Sequence, residues 1–217
     1  MLVDTQNALA GLRRWTLERD DSGPHRVYRD KRGNTYASVT HILKETSPQW
    51  QKDALDRWLE RPTAPAERDL ACQRGTLAHD HAEYVLKTAA KLARNSANKR
   101  GSWRTGDDGL ERAPKGITTW AIEKAIQGAP RVSWSASGYA RGLRSWIGEN
   151  VTAIHAVEFA IHDPRGWAGT ADALLDIDGT LCITDWKTSV NARSEEMLAN
   201  YICQTGAYSL GLQTLTG

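Results

Sequence analysis

With 217 residues and 40% hydrophobic content, the chain is long enough for one domain with a sizeable core, or for one domain with an insertion. Its net charge of +2 excludes a polycation, and no apolar run approaches the roughly eighteen residues of a membrane span. The first residues, MLVDTQNALAGLRRW, lack the apolar core of a signal peptide. We therefore expect a soluble protein and, by default, a cytoplasmic location.

The three cysteines are Cys72, Cys182 and Cys203. They are too few and too widely spaced for a four-cysteine zinc or iron–sulfur site, and an odd number argues against a disulfide framework. We expect buried free thiols.

The N-terminal half is predicted to be helical after one hairpin. Residues 25–43 indicate a hairpin that turns near residues 31–34 and is followed by a helix start. A helix is expected from about 51 to 59, where prolines follow. Residues 76–94 are rich in Ala, Leu and Lys and predict a long helix. Residues 95–118, rich in Gly, Asn and charge, predict a loop.

The stretch from Lys87 to Lys115 is basic, with eight basic residues against three acidic ones. Such a segment attracts a phosphate backbone, although a solvated helix end and loop explain it as well. Tryptophans in or just after the segment offer stacking surfaces for bases, or simply belong to the core. The basic residues are Lys87, Lys91, Arg94, Lys99, Arg100, Arg104, Arg112 and Lys115, and the tryptophans are Trp103, Trp120, Trp134 and Trp146.

Two further helices, about 118–127 and 135–149, are expected before the sheet. A strand over 153–161 leads into a hairpin, and a helix over about 193–212 follows. The chain then stops without another strand, which suggests that C-terminal strands are missing.

The hairpin, residues 169–189 (GTADALLDIDGTLCITDWKTS), carries one aspartate in each apolar run. Asp178 and Gly179 between the runs predict a type I′ turn, which requires positive φ at both central positions. In the register of a two-residue loop, Asp172 lies directly opposite Asp185. A longer loop would shift the register by one residue and separate the two.

Like charges placed opposite each other destabilise a sheet, so this pair predicts a compensating cation. Lys187 lies on the same face as Asp185, while Trp186 points the other way. Two carboxylates beside an ammonium form a natural site for a divalent cation with oxygen ligands.

Two further side chains are candidates for this site. Glu158 sits in the apolar strand, on the face of Ile154, Ala156 and Ala160, where a carboxylate needs a partner unless it reaches solvent. His79, on the long helix, can reach a metal or a phosphate, although a core or surface histidine is the simpler explanation. His81 lies on another side of the helix.

On the last helix, Tyr201, Gln204 and Tyr208 form one stripe. Ordinary packing accounts for the tyrosines, but an amide on a packed face needs hydrogen-bond partners.

Several short motifs, taken in chain order, resemble those of RecB-like exonucleases in the PD-(D/E)XK nuclease superfamily. They are YASVTHIL, RGTLAH, the strand glutamate, GTAD, DWK and QTGAY. Phage exonucleases and the mitochondrial genome maintenance exonuclease group share the lead-in. The resemblance implies an α/β (α+β) fold with a restriction-endonuclease-like core, in which helices flank a central mixed sheet. It also implies a single nuclease domain over 1–217, with a helical, basic insertion at about 95–150.

The resemblance further implies roles for individual residues. Asp172 and Asp185 would bind Mg²⁺ or Mn²⁺ together with His79 and the Trp186 carbonyl. Glu158 matches the strand carboxylate, and Lys187 would orient or activate water. The residues expected to contact DNA or support the site are Gln204, Tyr208, Arg74, Thr188, Lys99, Arg100 and Arg104.

The implied function is a metal-dependent DNA exonuclease of phage or bacterial recombination, repair or replication. It would act on single strands or duplex ends, away from membranes, and hold no iron–sulfur cluster. A structure-selective endonuclease and a non-catalytic nucleic-acid-binding protein of the same fold remain alternatives.

Overall fold

A computed structural model describes residues 17–106, 110–191 and 193–216, with side chains of the last helix described through residue 214. The strands there are β1 (Glu18–Asp20), β2 (Val27–Arg29), β3 (Thr35–Ser38), β4 (Arg104–Thr105), β5 (Glu111–Arg112), β6 (Val151–Asp163), β7 (Trp167–Ile177) and β8 (Thr180–Thr184). The helices are α1 (Val39–Glu45), α2 (Gln49–Leu59), α3 (Ala64–Arg100), α4 (Lys115–Gly128), α5 (Ser137–Asn150) and α6 (Glu195–Thr216). A short 3₁₀ turn, Trp134–Ala136, precedes α5.

Strand β7 is the centre of a mixed sheet. β6 pairs with it antiparallel along its whole length. The opposite edge is shared, because β3 pairs in parallel with the start of β7 and β8 pairs antiparallel with its end. β2 and β1 extend the sheet outward from β3. Within the described residues, β6 has no second neighbour and is an edge strand.

The β7–β8 hairpin has the predicted turn and register. Asp178 and Gly179 have φ of 49° and 84°, the positive values that a type I′ turn requires. The strands pair from Ile177–Thr180 back to Ala173–Thr184. The next position in this register holds Asp172 and Asp185, so the predicted register is confirmed and the pair lies where the ladder ends.

Helices cover both faces of the sheet. One apolar core joins α3, α4 and α5 to β6 and β7, with Leu86, Ile122 and Ile147 fully buried. A second core packs α1 and α6 against the sheet, around Ile161 and Leu174. A mixed sheet flanked by helices is the predicted fold class, which is therefore confirmed.

The long helix is longer than the sequence indicated. α3 spans 37 residues, from Ala64 to Arg100, so the predicted start at residue 76 and the predicted loop from residue 95 are both wrong. Pro65 opens the helix because its fixed φ suits the first helical turn. Gly101 ends it in the left-handed conformation with φ of 56°, a common C-terminal signal.

Several smaller predictions can be compared with the structure. The hairpin between β2 and β3 turns through residues 30–34 as predicted. The cysteines are free, but Cys72 and Cys203 are exposed, so the expectation of burial is wrong for both. In the part of the chain that is described, no helix has the length and apolar character to cross a membrane.

Candidate active site

Several elements converge on one open pocket of about 440 Å³. The end of the β7–β8 ladder provides Asp172 and Asp185, and β6 provides Glu158. Helix α3 adds His79, and α6 adds a buried Gln204 and a buried Tyr208. Lys187, just beyond β8, completes the set.

Asp172 is held by two donors. The backbone N–H of Trp186 donates to its Oδ2 at 2.5 Å, and His79 Nδ1 lies 3.4 Å from its Oδ1. The hydrogen bond to Asp172 raises the pKa of His79 above its usual value, because the carboxylate stabilises the protonated ring.

Asp185 contacts Lys187 and Gln204. The Lys187 ammonium forms an ion pair with its Oδ2, and Gln204 Nε2 donates to its Oδ1 at 3.0 Å. Burial, opposed by the contact with Lys187 and reinforced by the charge of Asp172, raises the pKa of Asp185 above its usual value. The lysine therefore only partly compensates this carboxylate.

Gln204 and Tyr208 support Asp185 from α6. Gln204 Nε2 also donates to the Tyr208 hydroxyl at 2.9 Å, so the buried amide bridges the aromatic residue and the carboxylate. The Tyr208 ring lies over Gly169, where a Cβ would come within 2.4 Å of Cε1. The first residue of GTAD must therefore lack a side chain for α6 to approach the sheet this closely.

Glu158 differs from its predicted setting. Its side chain is exposed, and its φ of 51° is unusual for a non-glycine residue. β6 has a register shift between Ile154 and Ala156. Ile154 packs against the core formed with α3, α4 and α5, and Ala156 packs against the core formed with α1 and α6. The two residues therefore do not share one face of the strand as predicted. Glu158 nonetheless reaches the pocket from the position opposite Asp172.

The environment of Glu158 is unfavourable for a negative charge. Partial desolvation and the neighbouring carboxylates of Asp172 and Glu83 raise its pKa to about 7. Like charges in one site disfavour simultaneous ionisation. In the described part of the chain, the three carboxylates of Asp172, Asp185 and Glu158 are thus met by two basic side chains, His79 and Lys187.

This donor set fits a hard divalent cation such as Mg²⁺ or Mn²⁺. Asp172, Asp185 and Glu158 offer oxygen ligands, which such ions prefer. Within the described ranges, no three His, Cys, Asp or Glu side chains have the close spacing of a metal site. The raised pKa of Asp185 reflects a negative charge that a cation would stabilise.

The other sequence-predicted residues lie around or away from the pocket. Thr188 lies against Gly75 of α3, where a Cβ would sit 3.3 Å from its Oγ1. Arg74, the preceding residue, has a buried Nε without a hydrogen-bond partner in the described part of the chain, and it does not line the pocket. Trp186 packs edge-on against Trp146 with ring centroids 5.3 Å apart.

The basic segment lies outside the active-site pocket. Lys99 and Arg100 are exposed at the end of α3, and Arg104 is exposed on β4. Arg112 contacts the buried carboxylate of Asp176, so its charge is already compensated. None of these four residues lines the pocket.

Sequence reasoning missed the N-terminal wall of the pocket. Arg19 of β1 and Arg26 line it, and each has its Nε 2.6 Å from a carboxylate oxygen of Asp21. Tyr28 lines it too, with its hydroxyl 3.2 Å from Thr170 Oγ1. No local signal identifies these residues, because they reach the site only through the parallel pairing of β3 with β7.

Comparisons with known proteins agree with this geometry. The model of the PD-(D/E)XK nuclease superfamily matches residues 37–217. Mitochondrial genome maintenance exonuclease 1 of Mus musculus is 24% identical over an alignment of 164 residues that covers 72% of this chain and 38% of that protein. The chain thus spans well under half the length of this relative. No solved structure matches the chain significantly. Because the family model covers most of the chain, including every pocket-lining residue from β7 onward, the protein belongs to the PD-(D/E)XK nuclease superfamily.

Proposed function

We propose that this protein is a divalent-metal-dependent DNA exonuclease that hydrolyses phosphodiester bonds. The observation that carries the proposal is the convergence of Asp172, Asp185, Glu158, His79 and Lys187 on one pocket. The superfamily supports a nucleic-acid substrate, and the name of the mouse relative supports exonuclease action. DNA single strands or duplex ends, in phage or bacterial recombination or repair, are the proposed setting.

The two aspartates would hold Mg²⁺ or Mn²⁺, with His79 and the Trp186 carbonyl as further ligands. When bound, the cation would supply positive charge against the phosphoryl oxygens and lower the pKa of water. Trp186 N–H already fixes Asp172, and Gln204 fixes Asp185. These contacts would hold both carboxylates in place for a ligand between them.

Lys187 would act on the substrate side of the pocket. Its ammonium lies beside Asp185 and 5.3 Å from the centre of the Tyr201 ring. From there it can place a positive charge beside the scissile phosphate and orient the attacking water. Glu158, with its pKa of about 7, can exchange a proton near neutral pH.

We also propose that 1–217 forms one nuclease domain. The helices within 95–150 bury their apolar residues in the core shared with α3 and the sheet. Exposed Lys99, Arg100 and Arg104 would then attract the DNA backbone at long range.

The decisive test is Asp185→Ala, assayed on end-labelled DNA with Mg²⁺ and with EDTA. We expect wild-type cleavage that requires the cation, and loss of cleavage in the variant with DNA binding largely retained. Asp178→Asn is the matched control, because Asp178 is an exposed aspartate of the same hairpin and asparagine tolerates its positive φ. Cleavage by Asp185→Ala at the wild-type rate would refute the assignment.

The same assay separates the alternatives. A circular single strand should resist an exonuclease, whereas its cleavage would favour the structure-selective endonuclease. DNA binding without cleavage under any divalent cation would favour a non-catalytic binding protein.

A further inference from the structure

We propose that a groove between α3 and the edge of β6 guides one nucleic-acid strand away from the active-site pocket, with Lys91 and Arg94 as its phosphate contacts. The inference rests on the proposed nuclease function, since it assigns the path of that substrate. The groove has a volume of about 370 Å³ and is separate from the pocket that holds the aspartates.

The groove begins where the active-site pocket ends. Glu83 lines the pocket and Lys87 lines the groove, and the two side chains form an ion pair one helical turn apart. On the opposite wall, Glu158 lines the pocket and the preceding residue, Val157, lines the groove. A strand leaving the pocket on this side therefore enters the groove directly.

One wall of the groove is the edge of β6. Five consecutive residues, 153–157, line it, although side chains of a regular strand alternate between faces. Within the described residues this edge pairs with no other strand, and the register shift between Ile154 and Ala156 disrupts the ladder behind it. An open, irregular strand edge leaves room for an extended chain beside it.

The other wall carries uncompensated positive charge. Lys91 and Arg94 are exposed on α3, and neither forms an ion pair or a hydrogen bond within the described residues. Among the described acidic residues nearby, Glu83 pairs with Lys87, Asp176 is buried against Arg112, and Glu111 is exposed. Net positive charge beside a nuclease pocket fits a polyanion.

An aromatic ring completes the groove. Trp103 lines it, and its Nε1 donates to Asn98 Oδ1 at 2.7 Å, which fixes the orientation of the indole. A fixed, partly exposed indole beside phosphate-binding cations is the combination that single strands use for base stacking. The occupant is therefore a single strand rather than an acidic peptide.

The helix sets the length of the path. At about 1.5 Å of rise per residue, the distance along α3 from His79 in the pocket to Lys91 in the groove is roughly 18 Å. Phosphates of one strand of B-DNA follow one another about every 3.4 Å along the helix axis, and the steps of an extended single strand are longer, so Lys91 lies at most about five nucleotide steps from the pocket. A trinucleotide, which has two such steps, is too short to span this distance.

The test compares Lys91→Ala/Arg94→Ala with Lys31→Ala/Arg32→Ala. The second pair removes the same charge from the exposed β2–β3 turn, far along the chain from the groove. Binding of a thymidine oligonucleotide of about twelve residues is measured in EDTA over a range of salt, and cleavage of that oligonucleotide and of a trinucleotide is measured with Mg²⁺. Urea unfolding checks that both variants are folded.

We expect the groove variant to bind the long oligonucleotide about tenfold more weakly and to reduce the slope of log K against log salt by about 1.4, as two lost single-strand contacts predict. Cleavage of the trinucleotide should stay at the wild-type rate, and the turn variant should behave as wild type. Equal binding of the long oligonucleotide by both variants would overturn the proposed path. So would a loss of trinucleotide cleavage in the groove variant as large as its loss on the long oligonucleotide. A wild-type protein that cleaves neither substrate would refute the nuclease function instead, while binding in EDTA would still test the groove.

Discussion

Strand β7 carries two carboxylates four residues apart, Asp172 and Asp176, whose surroundings differ. Asp176 is 2% exposed and is met by Arg112 and by His155, whose Nε2 is 2.9 Å from its Oδ1. Although burial opposes ionisation, these partners lower the pKa of Asp176. Asp172 instead shares a pocket with Asp185 and Glu158, whose pKa values are raised.

The difference separates a structural carboxylate, Asp176, from Asp172, the carboxylate of the proposed active site. Around Asp176 the chain supplies its own partners, the Arg112 guanidinium and the His155 ring, and this carboxylate needs no external ligand. Around Asp172 the carboxylates outnumber the cations that contact them, and the shortfall is what an external cation can fill.

The largest expected effect is on stability, at Asp176. Asp176→Asn should lower the free energy of unfolding by about 3 kcal/mol, because it removes the buried carboxylate that Arg112 and His155 both contact. Asp172→Asn should change it by less than about 1 kcal/mol, since the amide can still accept the Trp186 N–H. Urea unfolding measures both, and the folded Asp176→Asn protein should still cleave DNA where Asp172→Asn does not. The reverse pattern would invalidate the comparison.

The next effect is on catalysis, in the proposed active site. Lys187→Ala should reduce the cleavage rate by about 10²-fold, or about 2.7 kcal/mol, because it removes a positive charge beside the proposed phosphate position. Lys187→Arg keeps the charge and should retain more activity than the alanine variant. The measurement is kcat at saturating Mg²⁺. Equal rates for alanine and arginine would show that the charge plays no part.

A third change tests the support of Asp185 from α6. Gly169→Ala forces the Tyr208 ring to move, and such overpacking should lower stability by about 2 kcal/mol. Cleavage should fall as well, because Gln204 loses its placement between Tyr208 and Asp185. Gly206→Ala on α6 is the control, since no described atom beyond the neighbouring residues and backbone of its own helix lies within 4 Å of the added Cβ. Wild-type activity in Gly169→Ala would show that Tyr208 does not position Gln204.

The smallest effect concerns acid stability. Asp163, 1% exposed, accepts hydrogen bonds from Arg165, which lower its pKa to about 2. A lowered folded-state pKa contributes stability above the unfolded value of about 3.9, and this contribution is lost as the pH falls toward 2. Because Arg165 is itself exposed, we expect only about 1 kcal/mol.

Urea unfolding at pH 5 and pH 3 should show this loss in the wild type and a smaller one in Asp163→Asn. The same pH dependence in both proteins would mean that Asp163 is not a structural carboxylate of the Asp176 kind.

Local patterns were enough to predict the hairpin and its register. A type I′ turn needs positive φ at two positions, Asp178-Gly179 supplies it, and the pairing of a two-residue loop then follows. That step predicts the neighbouring positions of Asp172 and Asp185. The predicted bounds of α3 were less accurate. Gly75 and the polar stretch after residue 94 indicated a shorter helix, whereas α3 is continuous over 37 residues.

The sequence by itself determined the fold class, the tight hairpin and the ordered motifs of the pocket, because each depends on residues close together along the chain. Three features could be found only in the folded structure. They are the position of Arg19 and Arg26 at the pocket, the positive φ of Glu158 and the ion pair of Asp176 with Arg112. These features depend on strand pairing and packing between residues far apart in sequence, and no local propensity encodes which distant segments will meet.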